Sequence, residues 1–316
     1  WEGTNTVSFF ADILSSLFER NLMPTRRVED DNKPIEELCQ ALLSSRGDVS
    51  GMTLAELILE RYVGFDDVDK LAWFLLLANE MDVPANTAIS AIKAYDAKPS
   101  DKAYETMIQA VEPARVQLIR RLNQTQDATA KLVKMREDLS RFIPNHPQLG
   151  KLNIDLKHLF ASWFNRGFLV LRPISWSSPA QILEKIITYE SVHEIKNWDD
   201  LRRRLQPDDR RCFAFFHPAM PDEPLIFVEV ALTEGTPDSI QKILRKDREM
   251  IAADEADTAA FYSISNCQAG LAGISFGNSL IKTVVQHLLR ELPQIRNFVT
   301  LSPIPGLVKW LNETGL

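Results

Sequence analysis

The chain has 316 residues, 45% hydrophobic and 25% charged, with a formal net charge of −7. That length is enough for two domains, and the acidic balance argues against a general nucleic-acid binder. Three scattered cysteines, Cys39, Cys212 and Cys267, are too few for a disulfide framework or a zinc site, and no apolar run is long enough to cross a bilayer.

The first half is helical in pattern. Phe10, Ile13, Leu14 and Leu17 share one stripe of a predicted helix over 7–19. Further helices are predicted over 53–63, over 66–81 with an acidic start, over 87–95 before Pro99, and over 102–111 before Pro113. From 114 to 142 the mode continues. Leu132, Met135, Leu139 and Phe142 recur every three or four residues and face partner helices, while Lys131, Lys134 and Arg136 are expected to face elsewhere. Residues 1–143 therefore read as a helical bundle, and the expected extra task of such a domain is oligomerisation into a dimer or tetramer.

PNHPQLGKLN, residues 144–153, has the composition of a hinge and opens a second domain, 144–316. A helix to about Asn165, a stop at Gly167 and a strand at FLVLRPI follow. A helix is predicted over 179–195, opened by Ser177 or Ser178 with Pro179 in its first turn. CFAFFHP (212–218) and EPLIFVEVALT (223–233) are rich in aromatic and β-branched residues and read as an antiparallel hairpin. FYSIS (261–265) and FVTLSP (298–303) add strands around one more helix. The fold class is α+β: a helical bundle, then a mixed sheet with flanking helices.

Between those last two strands runs SISNCQAGLAGISFGNSLIKTVVQHLL, 263–289. Gly270, Gly273 and Gly277 permit close approach of a ligand to the backbone, or only tight turns. Behind them Leu280, Ile281, Val284, Val285, Leu288, Leu289 and Leu292 anchor a helix whose first turn offers unpaired N–H groups, for which phosphate oxygens are natural acceptors. No GK[ST] and no GxGxxG accompanies the glycines, so neither common nucleotide fingerprint is present.

These strings, together with LFASWFNRGFLVLRPISWSSPAQILEKIITYESVHEIKNWDDLRRRL, DRRCFAFFHPAMPDEPLIFVEVALT and FVTLSPIPGLVKWL, resemble malonyl-CoA decarboxylase, close to its bacterial form, over nearly all of 30–311. The resemblance implies a helical domain before a catalytic domain of the acetyltransferase (GNAT) fold, with malonyl-CoA as substrate and neither metal nor organic cofactor. It matches Ser265, Asn266, Cys267, Gln268, Ala269, Gly270 and Leu271 to the family's CoA-contacting segment, with Gly273 beside them, and its active-site serine to Ser302 of LSPIPG. Gln268, Gly270 and Gly273 depart from the usual acetyltransferase loop spacing. A homo-oligomer in the cytoplasm, with no nucleic-acid or membrane partner, is what the family and the lack of export features imply.

Loss of CO2 from a malonyl thioester leaves charge on the thioester oxygen, so a hydrogen-bond donor at that oxygen and a proton for the carbon are required. Ser302, braced by Pro303, Pro305 and the turn at Gly306, fits the donor role; its other reading is a strand-end serine that begins a turn. The family takes its acid from an NPVxxFH-type segment downstream of LSPIPG, and these 316 residues contain none, so the proton donor is expected beyond Leu316. His217, at a strand end, is not assigned that role; His158 and His193 are expected in amphipathic helices, and His287 in a structural place. Arg202, Arg203, Arg204, Arg210 and Arg211 read as a solvated mixed-charge face or, for one or two, as ligands of the CoA 3′-phosphate. Glu229 should be buried within its strand. An acyltransferase of the same fold and a non-catalytic CoA-binding or assembly protein are the competing functions.

Overall fold

The computed structural model describes residues 32–44, 48–275, 279–302, 304 and 306–315; the expected helix at 7–19, Gly277, Pro303 and Pro305 lie outside them. The chain divides into two compact units, Trp1–Leu156 and Lys157–Leu316.

The first unit is helical. Helices α1 (Ile35–Ser44), α2 (Asp48–Val63), α3 (Asp67–Asn79), α4 (Ala85–Ala97), α5 (Asp101–Val111), α6 (Ala114–Leu122) and α7 (Ala128–Phe142) follow in order. Their starts are chemically marked. The Asp66 carboxylate accepts the amides of Val68 and Asp69, both at 2.9 Å, and Ser100 accepts that of Ala103. Helices α1, α2, α3, α6 and α7 pack around Leu38, Leu42, Ile58, Leu59, Phe74, Leu118, Ile119, Leu132 and Leu139; Leu132 and Leu139 face inward as expected, while α1 was not anticipated. Arg136 differs from its expected outward place: it is buried, with Nε donating to Asn153 Oδ1 at 2.9 Å. The prolines of 144–153 do not interrupt the chain for long. A 3₁₀ turn at Pro147–Leu149 leads straight into α8 (Gly150–Trp163).

The second unit is built on a five-stranded sheet in the order β1 (Val170–Ile174), β2 (Arg210–Phe216), β3 (Ile226–Thr233), β4 (Thr258–Asn266), β5 (Asn297–Thr300). The first four strands form an antiparallel meander, and β5 returns parallel to β4 through helix α12 (Ser279–Glu291). Helices α9 (Ala180–Tyr189) and α10 (Trp198–Leu205), with the short α11 (Ile240–Leu244), precede or interrupt the strands, and α13 (Leu307–Thr314) ends the described chain. Helix α9 is shorter than the 179–195 expected, because Glu190 turns its carboxylate onto the amides of Val192 (2.8 Å) and His193 (2.6 Å). His193 therefore lies in a loop and not in an amphipathic helix.

Strand alternation gives the sheet two distinct faces. Phe213, Phe215, Val228, Val230 and Phe261 pack on Leu280, Val284, Leu288 and Leu292. Leu289, expected on that stripe, is exposed. The opposite face carries Ala214, Phe216 and Phe227 against Ile182, Leu183, Ile186 and Leu201, and Ala260 and Tyr262 against Ile243. Between these two apolar clusters lies Glu229, fully buried. A β-bulge sits opposite it: Glu229 pairs with Ser263 and Val230 with Phe261, so Tyr262 is an extra residue. Phe261 and Ile264 join the α12 side, while Tyr262 and Ser263 both reach the Glu229 side.

Candidate active site at the carboxyl ends of β4 and β5

The parallel pairing of β4 and β5 runs from Thr258–Asn297 to Phe261–Thr300, and a last bond joins the Leu301 amide to the Phe261 carbonyl at 2.9 Å. Beyond it the ladder ends, although β4 continues to Asn266 beside β3. Two parallel strands that part at their carboxyl ends leave a notch, the usual place for a ligand in an open sheet. Segment 265–271 follows β4 at this end, and Ser302 follows β5. The order β4–loop–α12–β5 thus brings together the two stretches that the sequence singles out.

Ser302 is exposed, two residues past the strand end, and Gly306 at φ 79° starts α13. The loop residues behave differently from one another. Ser265 is fully buried, and its hydroxyl meets Glu190 Oε2 at 3.3 Å and the Ser191 amide at 3.4 Å. Cys267 is buried with its amide on the Leu225 carbonyl, and burial pushes its thiol pKa up, which removes it as a ready nucleophile. Gln268 Nε2 donates to the Pro224 carbonyl at 3.0 Å. Ala269–Leu271 form a 3₁₀ turn with Gly270 and Leu271 buried. Asn266, Ala269 and Gly273 face solvent. The segment therefore offers a ligand its backbone and three small exposed positions, while Ser265, Cys267 and Leu271 hold it in place.

The amides are less available than the glycine pattern implies. Leu271 N donates to the Gln268 carbonyl (2.9 Å), Ala272 N to that of Ala269 (3.0 Å) and Ile274 N to that of Leu271 (3.0 Å). These three donors are spent on the loop itself.

Behind the loop lies a buried polar seam that sequence reading anticipated only at Glu229. Glu190 accepts the Ser263 hydroxyl at 2.9 and 2.7 Å as well as Ser265, so one carboxylate anchors the end of β4. Glu229 pairs with Arg204 at 3.1 Å; burial pushes its pKa up to about 7, with Arg204 opposing. Glu229 Oε1, Arg204 Nε, Tyr262 Oη and His193 Nε2 are buried and have no hydrogen-bond partner among the described residues.

Two of the five arginines depart from the mixed-charge surface reading, and Arg202, Arg203 and Arg211 keep to it. Arg204 and Arg210 are buried, the latter on the Asp209 and Ile243 carbonyls at 2.8 Å. Arg211 meets Glu291, Arg203 meets Asp200, and Arg202 lies over Trp176. All five are engaged within the protein. His217 is also held: its Nε2 meets the Trp163 carbonyl and its Nδ1 accepts the Ala219 amide, each at 3.1 Å, so both ring nitrogens are used within the protein. His287 stands edge-on to Phe213, a structural place. Among the described residues no group of three or more His, Cys, Asp or Glu could hold a metal ion, and no helix is long and apolar enough to cross a membrane.

Two family descriptions match the chain: Malonyl-CoA decarboxylase N-terminal domain over 84–164 and Malonyl-CoA decarboxylase C-terminal domain over 167–315. Mitochondrial malonyl-CoA decarboxylase of Anser anser anser is 40% identical over 233 residues, which is 69% of this chain and 46% of that protein. The Mus musculus enzyme is 42% identical over 191 residues, 57% of this chain and 38% of that protein. The chain thus spans less than half the length of these curated relatives. Solved structures of malonyl-CoA decarboxylase from Rhodopseudomonas palustris and Agrobacterium vitis superpose with a TM-score of 0.84 each, at 54% and 51% identity. Both alignments cover 89% of this chain, with 68% of the first structure and 70% of the second.

Proposed function

The chain belongs to the malonyl-CoA decarboxylase family, and on that premise we propose that it serves the conversion of malonyl-CoA to acetyl-CoA and CO2. The observation that carries this reading is the notch: segment 265–271 and Ser302 stand together where β4 and β5 part. A long pantetheine arm laid along the open end of β4 would bring its thioester toward Ser302.

The carbon–carbon bond to the carboxylate breaks, its electron pair passes into the thioester carbonyl, and CO2 leaves. The Ser302 hydroxyl donates a hydrogen bond to the oxygen that becomes anionic. A proton delivered to the α-carbon then completes acetyl-CoA. Ser302 acts here as a donor and forms no acyl intermediate, since the reaction has no step that needs one. None of His146, His158, His193, His217 and His287 is given the proton-donor role. Asn266, Gln268, Ala269, Gly270 and Gly273 would contact the carrier, with Ser265, Cys267 and Leu271 supporting them from within.

The helical unit carries the oligomer contact in this reading, through the exposed Ile89 and Ile92 of α4 and Tyr104 and Ile108 of α5; sedimentation velocity on the full chain tests it, with a monomer as the contrary result. A cytoplasmic enzyme without nucleic-acid or membrane partner completes the proposal. The decisive assay supplies malonyl-CoA labelled in its free carboxyl group, with no acceptor present. Release of labelled CO2 supports the lyase; turnover only when an amine or alcohol acceptor is added supports an acyltransferase instead.

A further inference from the structure

Within the proposed CoA site, and resting on that reading, we infer that Lys157 of α8 is a phosphate-binding cation that lies across the Gly273 turn. Gly273 has φ 74°, and a Cβ placed on it would come within 3.2 Å of Lys157 Nζ and 3.4 Å of Cε. The end of the lysine stem therefore rests against the bare backbone of the turn, in space that any side chain at 273 would take.

Two observations give this placement a purpose. The half-buried Lys70 and Lys185 each hold a carboxylate, Asp138 at 3.0 Å and Glu223 at 2.7 Å. Lys157 is also half-buried, and among the described residues it has no acidic partner. Its charge is left for something outside the chain. The second observation concerns the loop's own donors: the amides of Leu271, Ala272 and Ile274 pair with carbonyls of the same loop, so a side-chain cation at this turn adds what those three cannot give. An ammonium supplies three donors and no acceptor, which suits a phosphate and gives nothing to a neutral ligand. Arg204 and Arg210 are buried on partners of their own, and Arg203 and Arg211 are paired with Asp200 and Glu291, whereas no such carboxylate faces Lys157 among the described residues.

Calorimetric titration of the full chain with CoA and with 3′-dephospho-CoA tests the assignment. Lys157→Met keeps the stem and removes the charge, and it should weaken CoA binding about tenfold, as loss of one charge-assisted contact does. Lys157→Arg should recover most of that loss. If the Met variant is equally weakened toward 3′-dephospho-CoA, the lysine serves the diphosphate; if the loss appears only with CoA, it serves the 3′-phosphate. Gly273→Ala, whose methyl would press on the lysine end and shift it by a few tenths of an ångström, should weaken the parent slightly and add little to Lys157→Met. Parent-like CoA binding by a folded Lys157→Met overturns the assignment. Failure of the parent itself to bind CoA is a different result, and it removes the CoA reading together with this one.

Discussion

The two units bury charge in different ways. In the helical unit Arg115 is enclosed between Asp82 (2.8 Å) and Asp155 (2.6 Å), and Asp138 takes the Tyr62 hydroxyl at 3.0 Å together with Lys70 and Arg141. Each carboxylate has its cation, and Trp73 Nε1 is the one buried unpartnered side-chain atom of the described part of this unit. The sheet unit completes Asp209 in the same way, between Arg210 (3.4 Å) and Arg248 (2.8 Å), but buries Glu229 with a single arginine, holds Glu190 by neutral donors, and among its described residues leaves four polar atoms without partners. Completed networks fix a structure, and incomplete ones concentrate where a protein gives up stability for chemistry. We propose on this contrast that the first set serves stability and the second function.

Four experiments sharpen or break that division. Ser302→Ala should cut decarboxylation on the order of a thousandfold, the effect of losing one oxyanion donor, while CoA affinity and melting temperature hold. An equal loss of CoA affinity would strip Ser302 of its chemical role. Arg115→Met should cost on the order of 3 kcal/mol in urea unfolding, because two aspartates lose their shared cation, with activity per folded molecule retained. An inactive but stable variant would place function in the helical unit and undo the contrast.

Glu229 gives a pH signature. Its folded pKa, about 7, lies above its ordinary value, so the native state binds the extra proton between the two. Stability from this group is fully present below the unfolded pKa and lost as pH rises through about 7. Glu229→Gln should flatten the decline of melting temperature between about pH 4.5 and 7; an unchanged slope would mean that the Arg204 pair holds the carboxylate charged throughout. The smallest effect is expected from Glu190→Gln. With an amide nitrogen in place of one acceptor oxygen, the hold on Ser263 and Ser265 loosens, and KM for malonyl-CoA should rise about threefold at constant kcat. A fall in kcat with KM unchanged would show that Glu190 does not act through the loop.

Periodicity was enough for the helices expected between 53 and 142 and for the strand hairpin, since each buries an apolar face that its own residues announce; α1, α10, α11 and α13, at most ten residues each, were not anticipated. The end of α9 was not legible, because Glu190 ends it with a side-chain bond to Val192 and His193 that no composition marks. Arg204 and Arg210 read as surface because their partners, Glu229 and the Ile243 carbonyl, are distant in sequence. The same holds for Lys157, an unremarked helix residue until α8 and Gly273 are brought together. Segment 265–271 was singled out only through its family strings, and the inward turn of its Ser265 depends on Glu190, 75 residues away.

The supernumerary Tyr262 stands one position past Phe261, the final rung that β4 shares with β5. Extra local coiling at such an insertion steers a strand away from its neighbour, so the aperture at this edge of the sheet is governed from inside β4. Excising Tyr262 would leave its flanking residues on the sides they already occupy. The straightened strand would then zip onward against Leu301 and Ser302, and the notch would close by continued pairing while segment 265–271 and Ser302 keep every residue.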